Sequence, residues 1–153
     1  MIKLDEVDLK IIRILQEDCK KTAKEISQSL NLTVSPIYDR IRRLEKLGVI
    51  KKYVAILDKN HINRPITAIC MVSLRYHNQG FMDKFEAQIK ELKEVQKCYH
   101  MAGKVDYFLH INLPGIEDYH DFVRLKLSKI ENIGVLESSF VLKEIIDKTA
   151  YYV

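Results

Sequence analysis

TAKEISQSLNLTVSPIYDRIRRLEKLG, running from Thr22 to Gly48, holds two helix starts and two helix stops within 27 residues. Thr22 and Glu25 have capping-box spacing, in which each side chain satisfies an amide that the helix start leaves free. Ala23, Ile26 and Leu30 then form an apolar stripe, which predicts a helix over Ala23–Leu30. Asn31 follows where the turn needs a left-handed residue, a conformation asparagine tolerates better than most non-glycine residues. Thr33 is the expected N-cap of the next helix, whose apolar positions Ile37, Ile41, Leu44 and Leu47 recur in three- and four-residue steps until Gly48 closes it. Pro36 falls in the first turn, where a missing amide hydrogen costs little. The opposite face carries Ser35, Tyr38, Asp39, Arg42, Arg43 and Lys46. A short helix, a tight turn and a helix with an Arg-rich polar face describe a helix-turn-helix, whose recognition helix enters the major groove of DNA.

Working outward, Asp5 is a second N-cap candidate with Asp8 three residues later, and Leu9, Ile12 and Leu15 continue a first helix to near Asp18. Beyond Gly48, Lys51 and Lys52 lead into an alternating stretch, Tyr53–Leu57, that reads as a strand and forms either a small wing or a link. Residues 1–60 hold 13 Lys/Arg against 9 Asp/Glu, whereas residues 61–153 hold 12 of each, so the whole net charge of +4 is N-terminal. Arg40, Arg42, Arg43, Lys46, Lys51 and Lys52 face one acid, Glu45, in a cluster suited to a phosphate backbone. Arginine offers a planar fork of donors, and hydroxyl groups near a helix start reach phosphate or base edges. The expected DNA-facing set is Thr33, Val34, Ser35, Pro36, Tyr38, Asp39, Arg40, Arg42, Arg43 and Lys46. Within it, the N-terminal residues read bases and the later basic ones hold phosphate. Arg40 lies one step off the outermost face, where a salt bridge to Glu45 or Asp39 competes with DNA contact.

Near Arg64-Pro65 the pattern turns strand-like, making 58–65 a linker between a DNA-binding domain over 1–60 and a second domain over 61–153. The expected order there is strand 66–76, helix 81–92, strand 95–101, strand 106–113, helix 119–129 and strand 135–144. That βαββαβ order is a ferredoxin-like arrangement, and the chain as a whole is α+β. Strands with apolar groups on both faces, such as Tyr107–Leu113, imply that one sheet face covers the helices and the other a second subunit. A homodimer would also present two helix-turn-helix units to a pseudo-palindromic double-stranded DNA site.

Leu4-Asp5 with Asp8 and Ile11-Ile12, then Leu15-Gln16 with Asp18, resembles the opening of the Lrp/AsnC (feast/famine) transcription regulators. Leu32-Thr33, Arg40-Ile41, Arg43-Leu44-Glu45, Gly48-Val49-Ile50 and Tyr53 resemble that family's recognition helix and exit. The resemblance covers essentially the whole chain. It implies a winged-type helix-turn-helix joined to an effector-binding βαββαβ domain, dimers that gather into octamers, and control of amino-acid or related metabolism by a small effector held between subunits. It places that effector near His100, Met101, Gly103, Lys104, Asp106 and Tyr107, with Phe140, Val141 and Leu142 on the final strand lining the pocket. The family's turn reads Gly-Asp-aromatic-Asp, whereas this chain has Gly103-Lys104-Val105-Asp106. Lys104 stands where an acid is usual, Val105 where an aromatic is usual and His100 where an aliphatic residue is commoner. A carboxylate is the natural partner of an amino group. Lys104 and His100 therefore either favour an acidic or carboxylate-rich ligand or mark a regulator without an effector. For Gly103 a plain hairpin-turn role competes with ligand contact, and for Phe140, Val141 and Leu142 core packing does.

Other classes have less support. The first residues mix acids into their apolar positions, unlike a secretory signal, and no apolar run approaches a membrane span. A cytoplasmic location is the default expectation. Cys19, Cys70 and Cys98 are odd in number and far apart, which argues against a disulfide framework and reads each as a small buried hydrophobe. His61, His77, His100, His110 and His120 show no metal spacing, Cys98 and His100 alone sharing a strand face. With no Gly-rich phosphate loop or nucleophile elbow, no cofactor and no catalytic residue is expected. The enzymatic alternative is a sirohaem-decarboxylase-like protein on the same fold, which would have no use for Arg42, Arg43 and Lys46.

Overall fold

The structure is a computed structural model that describes residues 2–153. One compact unit runs to Ile56 and takes in Ile145–Val153; the other is Leu57–Glu144. The boundary thus falls a few residues before the expected one, and the C-terminal residues group with the first unit. Gln16 holds Tyr151 in a reciprocal pair, Gln16 Nε2 donating to the Tyr151 carbonyl at 3.0 Å and the Tyr151 amide donating back to Gln16 Oε1 at 2.7 Å.

The first unit has three helices, α1 (Glu6–Glu17), α2 (Ala23–Leu30) and α3 (Val34–Lys46). Both expected capping boxes are formed, Asp5 with Asp8 on α1 and Thr22 with Glu25 on α2. Asn31 is left-handed at φ 54°, and the amides of Asn31 and Leu32 return to the Gln28 and Ser27 carbonyls. Gly48, at φ 70°, ends α3 in the same way, with Gly48 and Val49 bonded to Glu45 and Leu44. These are Schellman closures, which satisfy carbonyls the last turn would leave bare. Ile11, Ile26, Ile37 and Leu44 are wholly buried and supply one core residue or more from each helix, with Ile41 and Val49 packed against them. Leu47, expected on that stripe, is instead exposed at the end of α3. Tyr53–Leu57 forms no strand, contrary to expectation: its apolar side chains Tyr53, Val54, Ile56 and Leu57 are exposed. A strand exists only through pairing, and this stretch makes no backbone ladder bonds among the described residues.

The second unit has β1 (Ile66–Leu74), α4 (Gln79–Lys90), β2 (Val95–His100), β3 (Tyr107–Leu113), α5 (Ile116–Leu125), a 3-10 turn at Leu127–Lys129 and β4 (Ile133–Phe140). The expected βαββαβ order holds, with an antiparallel sheet of order β2-β3-β1-β4. The second helix starts and ends earlier than its periodicity suggested, because the chain tightens into the 3-10 turn, and β4 stops at Phe140. One sheet face is a single core: Ala68, Cys70, Val72 and Leu74 from β1 and Tyr107, Leu109, Ile111 and Leu113 from β3 bury against Phe85 and Ile89 of α4 and Tyr119 and Phe122 of α5. The other face presents Ile69, Met71 and Phe108, half-buried, with Tyr99 and Val135 exposed. Of the three free cysteines only Cys70 is buried; Cys19 and Cys98 are exposed, which corrects the reading of all three as core. Cys98 shares the helix-facing side of β2, but β2 is an edge strand. No helix among the described residues is long and apolar enough to cross a membrane.

Candidate functional site

The outward face of α3 is built as its period requires. Thr33, Val34, Ser35, Pro36, Tyr38, Asp39, Arg42, Arg43 and Lys46 are exposed, and Arg40 is half-buried. Thr33 takes the N-cap position without a side-chain cap bond, so its hydroxyl is unengaged beside the free amides of the first turn. Arg42 lies over the Tyr38 ring one turn earlier, its guanidinium carbon 5.8 Å from the ring centroid. Neither Arg42 nor Lys46 is in an ion pair among the described residues. Such a surface can hold phosphates with Arg42 and Lys46 and offer hydroxyls and an aromatic ring to base edges.

Arg40 and Arg43 are placed differently from Arg42. Arg40 Nη1 is 2.6 Å from Asp5 Oδ2 and 2.8 Å from Asp8 Oδ1, and Arg43 Nη2 pairs with Asp8 Oδ2. Arg40 thus does form a salt bridge, but with two acids of α1 rather than with Glu45 or Asp39. Glu45 instead accepts the Tyr53 hydroxyl at 2.9 Å. Burial pushes the Asp8 carboxyl up, but the Asp5 amide and the two guanidinium groups outweigh it and hold it below the usual range. Arg40 holds Asp5 low as well, with help from the Asp8 amide. Reading Asp8 only as a capping residue missed this. The available signal was its place three and four residues before Ile11 and Ile12, on the inward side of α1, where a carboxylate needs a basic partner.

In the second unit the expected effector residues divide into two groups. His100 is exposed at the end of β2, its ring stacked on Tyr107 at 4.9 Å and 20°. Tyr107 itself is core: it is wholly enclosed, packs on Phe85 and donates its hydroxyl to Glu86 at 3.0 Å, and burial raises its pKa. It backs His100 rather than presenting a surface in this chain. Met101, Gly103 and Lys104 are exposed in the β2–β3 turn, and Lys104 has no ion pair among the described residues. Gly103 has an ordinary φ and nothing within 4 Å of where a Cβ would stand, so the turn itself does not require glycine. Asp106 is engaged internally, its Oδ2 accepting the Leu74 amide at 2.7 Å while His77 Nε2 lies 3.0 Å from both carboxylate oxygens. Burial acts to raise the Asp106 carboxyl, but those two partners hold it below the usual range.

Phe140 ends β4 on the other edge, packed edge-on against Tyr119 at 5.0 Å. The Val141 amide donates to the Thr67 carbonyl, and Leu142 is fully exposed, so Val141 and Leu142 lie past the strand on which they were expected. Three strand spacings separate β2 from β4, about 14 Å. One chain therefore does not bring His100 and Phe140 together. A groove lined by Arg75, Val123, Leu127, Asn132 and Leu136 contains none of the expected residues, and nothing in their spacing pointed to it.

Two family profiles match the chain: Lrp/AsnC ligand binding domain over residues 67–151 and winged helix-turn-helix DNA-binding over residues 4–51. Among curated relatives, the glutamate uptake regulatory protein of Zymomonas mobilis is 33% identical over 147 residues, 96% of this chain and 89% of its own. The Bkd operon transcriptional regulator of Pseudomonas aeruginosa is 30% identical over 150 residues, 98% of each. A solved transcriptional regulator from Neisseria meningitidis, in complex with L-Met, superimposes with a TM-score of 0.93 at 31% identity, covering 98% of this chain and 97% of that one.

Proposed function

This chain belongs to the Lrp/AsnC family of transcription regulators, and on that premise we propose that it acts in the cytoplasm as a homodimer, gathered into octamers, that reads a pseudo-palindromic operator under the control of a small effector. That it is a DNA-binding regulator rather than an enzyme follows from the family and its relatives. The observation that carries the reading of DNA contact is the outward face of α3, where Thr33, Val34, Ser35, Pro36, Tyr38, Asp39, Arg42 and Lys46 are exposed. Ser35 and Tyr38 at the start of that face contact bases; Arg42 and Lys46 hold phosphate. Two copies of α3 would occupy half-sites about one helical turn of DNA apart.

A second copy of the chain accounts for the sheet face bearing Ile69, Met71, Tyr99, Phe108 and Val135, since an apolar surface of that kind is stable in water only when covered. It also accounts for the division of the effector residues, because a pocket shared between subunits can draw on His100, Met101, Gly103 and Lys104 from one chain and on Phe140, Val141 and Leu142 from another. The Asp106 carboxylate is occupied by Leu74 and His77, and the turn offers the cation of Lys104 instead. That arrangement favours an amino acid with an acidic side chain or a small carboxylate acid. The effector would act by binding one assembly more tightly than another. Genes of amino-acid or related metabolism are the expected targets.

Selection of duplexes from a randomised library, with and without a panel of amino acids and organic acids, tests the whole reading. A two-fold-symmetric consensus whose recovery changes with one acidic ligand is expected. An asymmetric consensus would overturn the dimeric reading, and a response to aliphatic amino acids alone would overturn the acidic-ligand reading.

A further inference from the structure

Asp8 is the only charged residue whose side chain is buried among the described residues. A carboxylate removed from water is destabilising unless it is paired and hydrogen-bonded. Asp8 has three donors: the Asp5 amide at 3.1 Å, Arg40 Nη1 at 2.8 Å, and Arg43 Nη2. The first belongs to its own helix. The other two stand three residues apart on α3, so a single carboxylate of α1 grips α3 at two points one turn apart.

The apolar contacts between these helices are made by Ile11, Ile37 and Leu44 in one cluster. Burial of that kind is non-directional and resists separation far more than rotation. Two charge-assisted hydrogen bonds to one fixed carboxylate do resist rotation, because the guanidinium fork has a set geometry. Arg40 is further tied to Asp5, whose place is set by the α1 capping box. Successive residues of a helix are about 100° apart around its axis, so engaging Arg43 leaves Arg42 pointing away, over the Tyr38 ring.

We propose that Asp8 is a positioning residue for DNA recognition: through Arg43 and Arg40 it fixes the rotation of α3, and with it how Ser35 and Tyr38 meet the base edges while Arg42 meets phosphate. The inference rests on the reading of α3 as the recognition helix. It also divides the arginines, Arg42 to DNA and Arg40 and Arg43 to the frame that aims it.

Two quantities separate aiming from simple stabilisation and from phosphate binding. The first is preference, the ratio of affinity for a duplex selected by the unmodified protein to that for a scrambled duplex of the same length and base composition. The second is the slope of log affinity against log salt, which becomes shallower by about one for each phosphate the protein no longer neutralises. Both are measured on full-length protein at a temperature where each variant is folded by circular dichroism. Asp8→Asn keeps the shape and removes the charge. It is expected to lower preference about tenfold, comparable to one mismatched base pair, while the salt slope and the affinity for the scrambled duplex stay as they were. Arg43→Gln, at a half-exposed site, is expected to do the same and carries the test if Asp8→Asn does not fold. Unchanged preference in folded variants would overturn the proposal, leaving Asp8 a stabilising residue only. A slope shallower by about one in Arg43→Gln would place Arg43 on phosphate and overturn it equally. Failure of the unmodified protein to select any duplex would instead remove the recognition-helix reading on which the proposal stands.

Discussion

His100 and Phe140 stand on opposite edge strands of one sheet, β2 and β4, with β3 and β1 between them. If both line the effector pocket, that pocket needs two chains. Alanine at either position should then weaken binding of the effector found by library selection, and mixing the two single variants so that subunits re-associate at random should restore it in about a quarter of the sites. In a mixed dimer one pocket receives both substitutions and the other neither. Calorimetric titration of the mixture would show about a quarter of the sites binding at unmodified affinity, whereas no recovery would overturn a pocket that takes His100 from one chain and Phe140 from the other.

Lys104 lies in the β2–β3 turn with no carboxylate paired to it among the described residues. Reversing its charge with Lys104→Asp should weaken an acidic ligand by about 1.5–3 kcal/mol, the range for a hydrogen bond to a charged group. Any ligand that binds only the folded chain raises its melting temperature, by an amount that grows with the logarithm of its concentration relative to its dissociation constant. Thermal scans with a ligand panel therefore check this directly, and equal shifts in the two proteins would exclude Lys104 from the site.

Arg42 and Tyr38 form the exposed stacked pair of α3. Arg42→Ala should lower affinity across sequences and reduce the salt slope by about one. Tyr38→Ala should change the selected consensus more than the slope. Gel-shift titrations over a range of salt concentration, repeated on the selected and scrambled duplexes, distinguish the two outcomes.

Acid should weaken the DNA-binding unit in a defined window. Asp5 and Asp8 are both held below the ordinary value of 3.8, by Arg40 first for Asp5, and for Asp8 by the Asp5 amide and two arginines against the effect of burial. A carboxyl that is more acidic in the folded state contributes stability that is complete above its unfolded value and is lost as pH falls through its folded value. Stability should therefore hold above about pH 5 and decline through and below the ordinary carboxylate value. Asp8→Asn should cost about 2 kcal/mol near neutrality and flatten that decline. Thermal unfolding followed by circular dichroism across this range provides the check, and an equally steep decline in the variant would contradict it.

Asn31 and Gly48 hold the left-handed turns that end α2 and α3. Gly48 has nothing within 4 Å of a Cβ position, so Gly48→Ala tests backbone conformation without a clash. It should cost about 1–2 kcal/mol, as should Asn31→Ala to a smaller degree, while Asn31→Gly should be neutral or better. Denaturant midpoints at constant slope measure these differences.

Much of this was legible in the chain because it depends on neighbours a few residues apart. Capping boxes at Asp5–Asp8 and Thr22–Glu25, the turns at Asn31 and Gly48 and the period of α3 are all short-range chemistry, and each is present as its spacing required. Periodicity likewise carried the βαββαβ order. What remained depends on residues distant in sequence. Arg40 and Arg43 reach back to α1 because Asp8, more than thirty residues away, is buried beside them. Tyr53–Leu57 alternates like a strand, yet pairs with nothing within its unit. The order β2-β3-β1-β4 sends His100 and Phe140 to opposite edges. Side-chain period determines which residues share a face; only the packing of whole elements decides what that face meets, because burial and charge pairing are settled between segments and not along them.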